Sequence, residues 1–169
     1  MRLLRDIMVP EPAVLFVGIN PSIRSAEEGH HFASPGNPFW KLMFASKLVP
    51  VELTAHQDDR LAEFGLALTN LCQRATRSAA ELTREEMDRG KVRLTRVIKR
   101  AKPRIVAFVG LSIYQHYFGK TASPGAGAKP EQIANARVFV LPNPSGLNAS
   151  FPGFKDKLIW FERLREEIE

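Results

Sequence analysis

The sequence predicts an α/β domain of three layers built on a four-stranded, mainly parallel sheet, and three observations predict it. Four short apolar runs, 13–18 (AVLFVG), 65–71 (GLALTNL), 104–110 (RIVAFVG) and 137–141 (RVFVL), show the continuous hydrophobicity of strands covered on both faces. Amphipathic stretches with helix start signals lie between and after them. Alternating strand and helix favours parallel pairing through crossover connections, with helices on both faces of the sheet.

Each element follows from local chemistry. The first strand, 13–18, ends on Gly18. Asn37-Pro38 then supplies an N-cap and a first-turn proline for a helix over PFWKLMFASKL. The second strand, 65–71, leads to the stretch TREE at 83–86, a capping box in which Thr83 and Glu86 satisfy each other's backbone N–H groups. Behind it Met87, Leu94, Val97, Ile98 and Ala101 share one helical face. The third strand, 104–110, runs into a short helix from Leu111 to Phe118 that stops at Gly119. Residues 121–130, TASPGAGAKP, read as a flexible surface loop. The fourth strand, 137–141, precedes a last helix whose apolar stripe is Phe154, Leu158, Phe161, Leu164 and Ile168. No repeat or low-complexity segment interrupts this order. Residues 1–169 are therefore expected to form one domain, long enough to bury about two-thirds of the surface its unfolded chain exposes.

Composition excludes several classes. The single Cys72 rules out a disulfide framework, a four-cysteine iron–sulfur cluster and a zinc ribbon, and it suits a reducing cytoplasm. The start MRLLRDIMVPEP lacks the apolar core of a signal peptide, and no stretch approaches the roughly 20 apolar residues that span a bilayer. A formal charge of +6 and a pI of about 9.8 suit a nucleic-acid partner. The cations concentrate between Arg84 and Arg104, which is either a phosphate-binding face or a solvated helix. The adjacent His30 and His31 lack partner cysteines or a helical i, i+4 spacing, so no metal and no cofactor is expected.

Two loops carry the functional signal. In open parallel sheets, ligands sit beyond the carboxyl ends of the strands. There the chain places GINPS, residues 18–22, after the first strand and NPSGLN, residues 143–148, after the fourth. Asn-Pro and Ser-Gly also mark ordinary turns, and each motif alone leaves that reading open.

Together, with GHHFASPGNPFW between them, the two motifs resemble the mismatch-specific uracil/thymine-DNA glycosylases of the uracil-DNA glycosylase superfamily. The resemblance runs from Val14 to about Glu162. It implies a three-layer α/β/α sandwich around a four-stranded parallel sheet. The implied enzyme is a monofunctional, monomeric glycosylase of base excision repair, with no membrane association. It flips uracil out of double-stranded DNA at a G·U mismatch, with other damaged pyrimidines left open, and hydrolyses the N-glycosidic bond.

The resemblance also assigns roles. Asn20 positions the attacking water and Asn143 lines the pocket. An amide is no general base near neutral pH, so Asn20 acts by orientation, and turnover is expected to be slow. Gly18, Ile19, Ser22, Ser25 and Asn70 border the base, with backbone N–H groups of the 20–25 loop facing the uracil anion. Phe32 stacks on the base, while Phe39 and Trp40 belong to the core. Leu147 is the wedge that fills the vacated stack, held by Pro144 and Gly146, with Ser145 and Asn148 beside a flanking phosphate.

The chain departs from the family pattern in two places. Ser22 replaces the glycine of GINPG, and Asn148-Ala149 replaces the Ser-Arg that usually follows the wedge. The second departure puts contacts to the opposing guanine in question. Two other readings stay open: a uracil-DNA glycosylase of another branch that also acts on single strands, and a non-catalytic binder of damaged or abasic DNA. Glu81 is a candidate for assisting Asn20.

Overall fold

The protein is described by a computed structural model covering residues 3–145 and 148–168. Five strands form one sheet: β1 (Val14–Gly18), β2 (Leu66–Asn70), β3 (Ile105–Val109), β4 (Gly127–Ile133) and β5 (Ala136–Leu141), in the order β2-β1-β3-β5-β4. The four strands expected from the apolar runs pair in parallel, and β4 adds an antiparallel edge, so the sheet is mixed. Helices α1 (Ile23–Glu28), α2 (Phe39–Ala45), α3 (Arg84–Ala101), α4 (Leu111–Phe118) and α5 (Phe154–Ile168) complete the layers, with a 3₁₀ segment at Ala55–Phe64. No helix among the described residues is long and apolar enough to cross a membrane.

Period-two burial explains the continuous apolar runs. Val14 and Phe16 point into a core with Phe39, Leu42, Phe161 and Leu164 of α2 and α5, while Leu15 and Val17 point into a second core with Leu94 and Ile98 of α3 and with Ile113 and Tyr114 of α4. Every residue of β1, β2 and β3 is buried. The capping box of α3 forms as expected, with Glu86 N–H on Thr83 Oγ1 at 3.1 Å and Thr83 N–H on Glu86 Oε1 at 3.0 Å. At α2 the Asn37 side chain accepts the Phe39 N–H at 3.0 Å, and Pro38 itself takes the N-cap position.

Two expectations about these elements need correction. The stretch 127–130, read as loop, belongs to β4. Pro130 is tolerated there because this is an edge strand with a register shift between Lys129 and Gln132. A turn with Ala134 and Asn135 both at positive φ closes the β4–β5 hairpin. Phe154 is exposed at the start of α5, and Lys157 is buried instead.

The cationic stretch 84–104 is not one face. α3 starts beside the carboxyl end of β2 and, at 1.5 Å per residue, carries its last turn about 27 Å away. There Ala101 C=O accepts from Glu11 N–H and Arg104 N–H donates to Pro12 C=O, at the amino ends of the strands. Arg96, Lys99 and Arg100 are therefore remote from the carboxyl ends. Arg93 turns inward, with Nη2 2.6 Å from Asp6 Oδ2 and Nη1 3.1 Å from the Asn70 carbonyl. It ties the N-terminal segment to β2 and is not displayed for a phosphate.

Candidate active site

β1 pairs with β2 on one side and β3 on the other, so the loops leaving their carboxyl ends diverge and open a crevice at the switch point. A cavity of about 130 Å³ occupies it, roughly ten times the space that holds one water. Its walls come from the ends of all four parallel strands: Gly18 to Asn20 after β1, Asn70 at the end of β2, Val109 at the end of β3 and Asn143 after β5. Ser22, Ser25 and Phe32 complete it, so the structure brings together eight of the residues that the motifs singled out.

Gly18 and Asn70 lie side by side in the β1–β2 register. A Cβ at Gly18 would stand 2.5 Å from Asn70 Oδ1, so the glycine is what lets this amide lie across the strand end. Asn70 is 9% exposed and its side chain makes no hydrogen bond with the described residues, leaving an amide donor and acceptor turned to the cavity. Phe32 lies over the same space. One face of its ring stacks on Phe39 at 4.0 Å and 14°, and its backbone holds φ +52°.

The orientation of the Asn20 amide follows from hydrogen-bond chemistry. Its Nδ2 is 2.9 Å from the Arg74 carbonyl oxygen, which can only accept. The same nitrogen is 2.7 Å from Thr76 Oγ1, whose own proton goes to the Ser78 carbonyl at 2.8 Å. Both amide protons are thereby engaged, and Oδ1 is the atom left to accept a proton from water. Arg74 is itself clamped by Glu86 at 2.7 and 2.8 Å, and this guanidinium holds the Glu86 carboxyl down at about 2. Thr76 and Arg74 were not singled out by sequence reasoning, since nothing in QRAT marks a partner for an asparagine more than 50 residues away. On the activity that the two motifs imply by resemblance, replacing Thr76 by Val is expected to lower base excision about tenfold, the equivalent of one hydrogen bond at ~1.4 kcal/mol, with Thr76→Ser close to wild type. Single-turnover assays of the two variants check this, and equal losses would show that the hydroxyl is immaterial.

Serines tie the loop 29–37 to the GINPS turn and α1. Ser34 Oγ donates to Ser22 Oγ at 3.0 Å, Ser22 Oγ donates to Ser25 Oγ at 3.1 Å, and Ala33 N–H donates to the same Ser25 oxygen at 3.0 Å. Ser22 also caps α1 by accepting the Ser25 N–H at 3.0 Å. That N–H, expected to face an anion, is therefore used inside the protein.

His31 is a further pocket residue that the sequence considered only as a metal ligand. Its Nε2 is 2.7 Å from the Arg5 carbonyl, so that nitrogen carries the proton. Burial pushes its pKa down against the pull of Arg5, Asp58 and Asp6, leaving a neutral ring with an acceptor at Nδ1. No group of histidine, cysteine and carboxylate side chains able to hold a metal occurs among the described residues.

The second motif is partly visible. Asn143 Oδ1 accepts the Ser145 N–H at 2.9 Å, and Asn148 braces the loop by donating to the Asn143 carbonyl at 3.2 Å and accepting from Ser150 and Phe151 N–H at 3.1 and 3.3 Å. The Asn148 amide is thus engaged within its own loop. Gly146 and Leu147 lie outside the described residues. Glu81 does not reach the cavity: its carboxylate accepts the Ser78 N–H at 2.9 Å, and no aspartate or glutamate lines the cavity among the described residues. A neighbouring groove shares Asn20, Ser34 and Asn143 with the cavity, and Arg77, which is exposed, is the one cation among its described lining residues.

Comparison with known proteins agrees with this arrangement. The model of the uracil DNA glycosylase superfamily matches residues 6–165. A G/U mismatch-specific uracil DNA glycosylase of Schizosaccharomyces pombe is 37% identical over 164 residues, 92% of this chain and 50% of the relative. The chain thus spans about half the length of that curated relative. The solution NMR structure of a Methanosarcina acetivorans protein, provisionally described as a uracil DNA glycosylase, superposes with a TM-score of 0.67 at 18% identity, covering 97% of this chain and 98% of that one, and supports the fold. With the family model spanning nearly the whole chain and the fold and strand-end loops in agreement, this protein belongs to the uracil DNA glycosylase superfamily.

Proposed function

We propose that the protein is a monofunctional DNA glycosylase that extrudes uracil from G·U mismatches in duplex DNA and hydrolyses its N-glycosidic bond to leave an abasic site. The observation that carries this reading is the Asn20 amide, fixed through both of its protons beside a cavity roofed by Phe32 and edged by Asn70. Cleavage puts negative charge on the departing uracil and positive charge on the deoxyribose. The Asn70 amide offers a donor and an acceptor to the carbonyl and N–H edge of the base, and Asn20 Oδ1 orients the water that captures the sugar. With no carboxylate among the described lining residues, the rate rests on leaving-group stabilisation and water orientation, and slow turnover follows. Single-turnover excision measured on G·U, A·U, G·T and single-stranded uracil tests the proposal. Absence of excision from all four would refute it and leave a binder of damaged DNA.

A second reading, a wider substrate range that includes A·U and single strands, is favoured by Ala149, which stands where the family's post-wedge pair carries arginine. Asn148, in the other position of that pair, uses its amide to brace its own loop. Leu147, as the proposed wedge, repays unstacking only in a duplex. Leu147→Ala is therefore expected to reduce excision most from A·U, less from G·U and least from single strands. Uniform losses on the three substrates together with a lowered melting temperature would make it a packing residue.

A further inference from the structure

Phe32 holds a left-handed backbone that a bulky side chain adopts only where its surroundings force it. The forcing groups flank it on both sides. After it, Ala33 N–H is held by Ser25 Oγ. Before it, His31 is fixed at three points: its N–H donates to Asp58 Oδ2 at 2.8 Å, its carbonyl accepts from Trp40 Nε1 at 3.1 Å and its ring donates to the Arg5 carbonyl. Asp58 is the ionisable member of this set. It comes from the 3₁₀ segment 27 residues further along the chain, is 5% exposed and does not line the cavity. Its second oxygen lies 3.1 Å from His30 Nδ1, and the His56 ring packs beside His30 at 4.9 Å on the outer side. One buried carboxylate thus grips two consecutive residues immediately before the ring. A charged acceptor holds an N–H more tightly than a neutral one, which suits a backbone kept under strain.

We propose that Asp58 is a positioning residue of the base pocket, fixing the His30–Phe32 backbone and with it the ring on which an extruded base stacks. The proposal rests on the glycosylase reading and adds to it a residue outside the cavity. Its reach is confined to complexes that contain an extruded base. A duplex carrying an abasic-site analogue offers nothing to stack, so binding to it is independent of where Phe32 lies.

Four variants test this: Asp58→Leu, Asp58→Asn, Phe32→Ala and the double variant Asp58→Leu/Phe32→Ala. Asp58→Leu is expected to lower single-turnover uracil excision from G·U duplex about tenfold or more, and to weaken binding of a duplex carrying non-hydrolysable 2′-fluoro-arabinouridine. Affinity for the abasic-analogue duplex should stay within about twofold of wild type, since that complex lacks the stacked base. Asp58→Asn keeps an oxygen for the His31 N–H and is expected to stay within about threefold of wild type. Added to Phe32→Ala, the Asp58→Leu change should lower excision no further. Asp58→Ala carries the same comparisons if Asp58→Leu does not fold. Wild-type rates in Asp58→Leu, full additivity with Phe32→Ala, or parallel loss of abasic-duplex affinity would overturn the proposal. Failure of the wild-type protein to excise uracil refutes the glycosylase reading instead, and the arabinouridine and abasic affinities then still decide the role of Asp58.

Discussion

Asn20→Ala is expected to abolish most uracil excision while duplex affinity stays within about twofold of wild type. The amide donates to Arg74 C=O and Thr76 Oγ1 and has one acceptor left, so under the proposed function its contribution is to hold water in a fixed direction. Misplacing an attacking group by about an ångström costs on the order of a hundredfold, and a missing orienting group costs at least as much. Duplex binding is governed by phosphate contacts, to which one half-buried amide adds little. Electrophoretic mobility shifts measured beside single-turnover excision check the result. Unchanged excision in Asn20→Ala would remove this residue from the mechanism and leave the cavity without its water-orienting group.

Gly90→Ala is expected to destabilise the fold by about 2 kcal/mol and to lower Tm by roughly 4–8 °C. Helix propensity alone predicts the opposite, since alanine in a helix interior is worth about 1 kcal/mol over glycine. Packing decides otherwise. A Cβ at Gly90 would stand 2.4 Å from the Leu71 carbonyl oxygen and 3.0 Å from its carbon, contacts with backbone that cannot rotate away. α3 would have to lift, withdrawing Leu94 and Ile98 from Leu15, Val17 and Val106. The strain would also reach the chain from Leu71 to Thr76, which carries the two groups that orient Asn20, so excision should fall with stability. A thermal melt of Gly90→Ala against wild type settles the sign, and a raised Tm would mean that the helix yields without strain.

Signals confined to neighbouring residues were read directly from the sequence. The capping box at Thr83 and Glu86 is a local exchange of hydrogen bonds, and the buried strands declare themselves because both faces of the sheet are covered. The asparagine-proline motifs at strand ends placed the cavity, since a parallel sheet directs its carboxyl ends to one side. β4 was not legible, because Pro130 and the alternating polar residues of an edge strand look like loop until β5 is there to pair with.

What tertiary structure alone decided is which polar groups meet. Arg93 sits in a run of cations, and only the arrival of Asp6 beside it makes it a tether instead of a phosphate ligand. Asn20 lies in a motif, but the atom it offers to water is set by a carbonyl and a hydroxyl from the segment after β2. Asp58 carries no local signal, and its two oxygens acquire a role when the 3₁₀ segment folds against the loop before Phe32. The sequence by itself determined the four parallel strands, the helices α2 to α5 between and after them and the family, because periodicity, caps and motifs are written along the chain. The direction of each buried hydrogen bond was decided by the fold, because a polar side chain takes its partner from whatever donor or acceptor burial brings within about 3 Å.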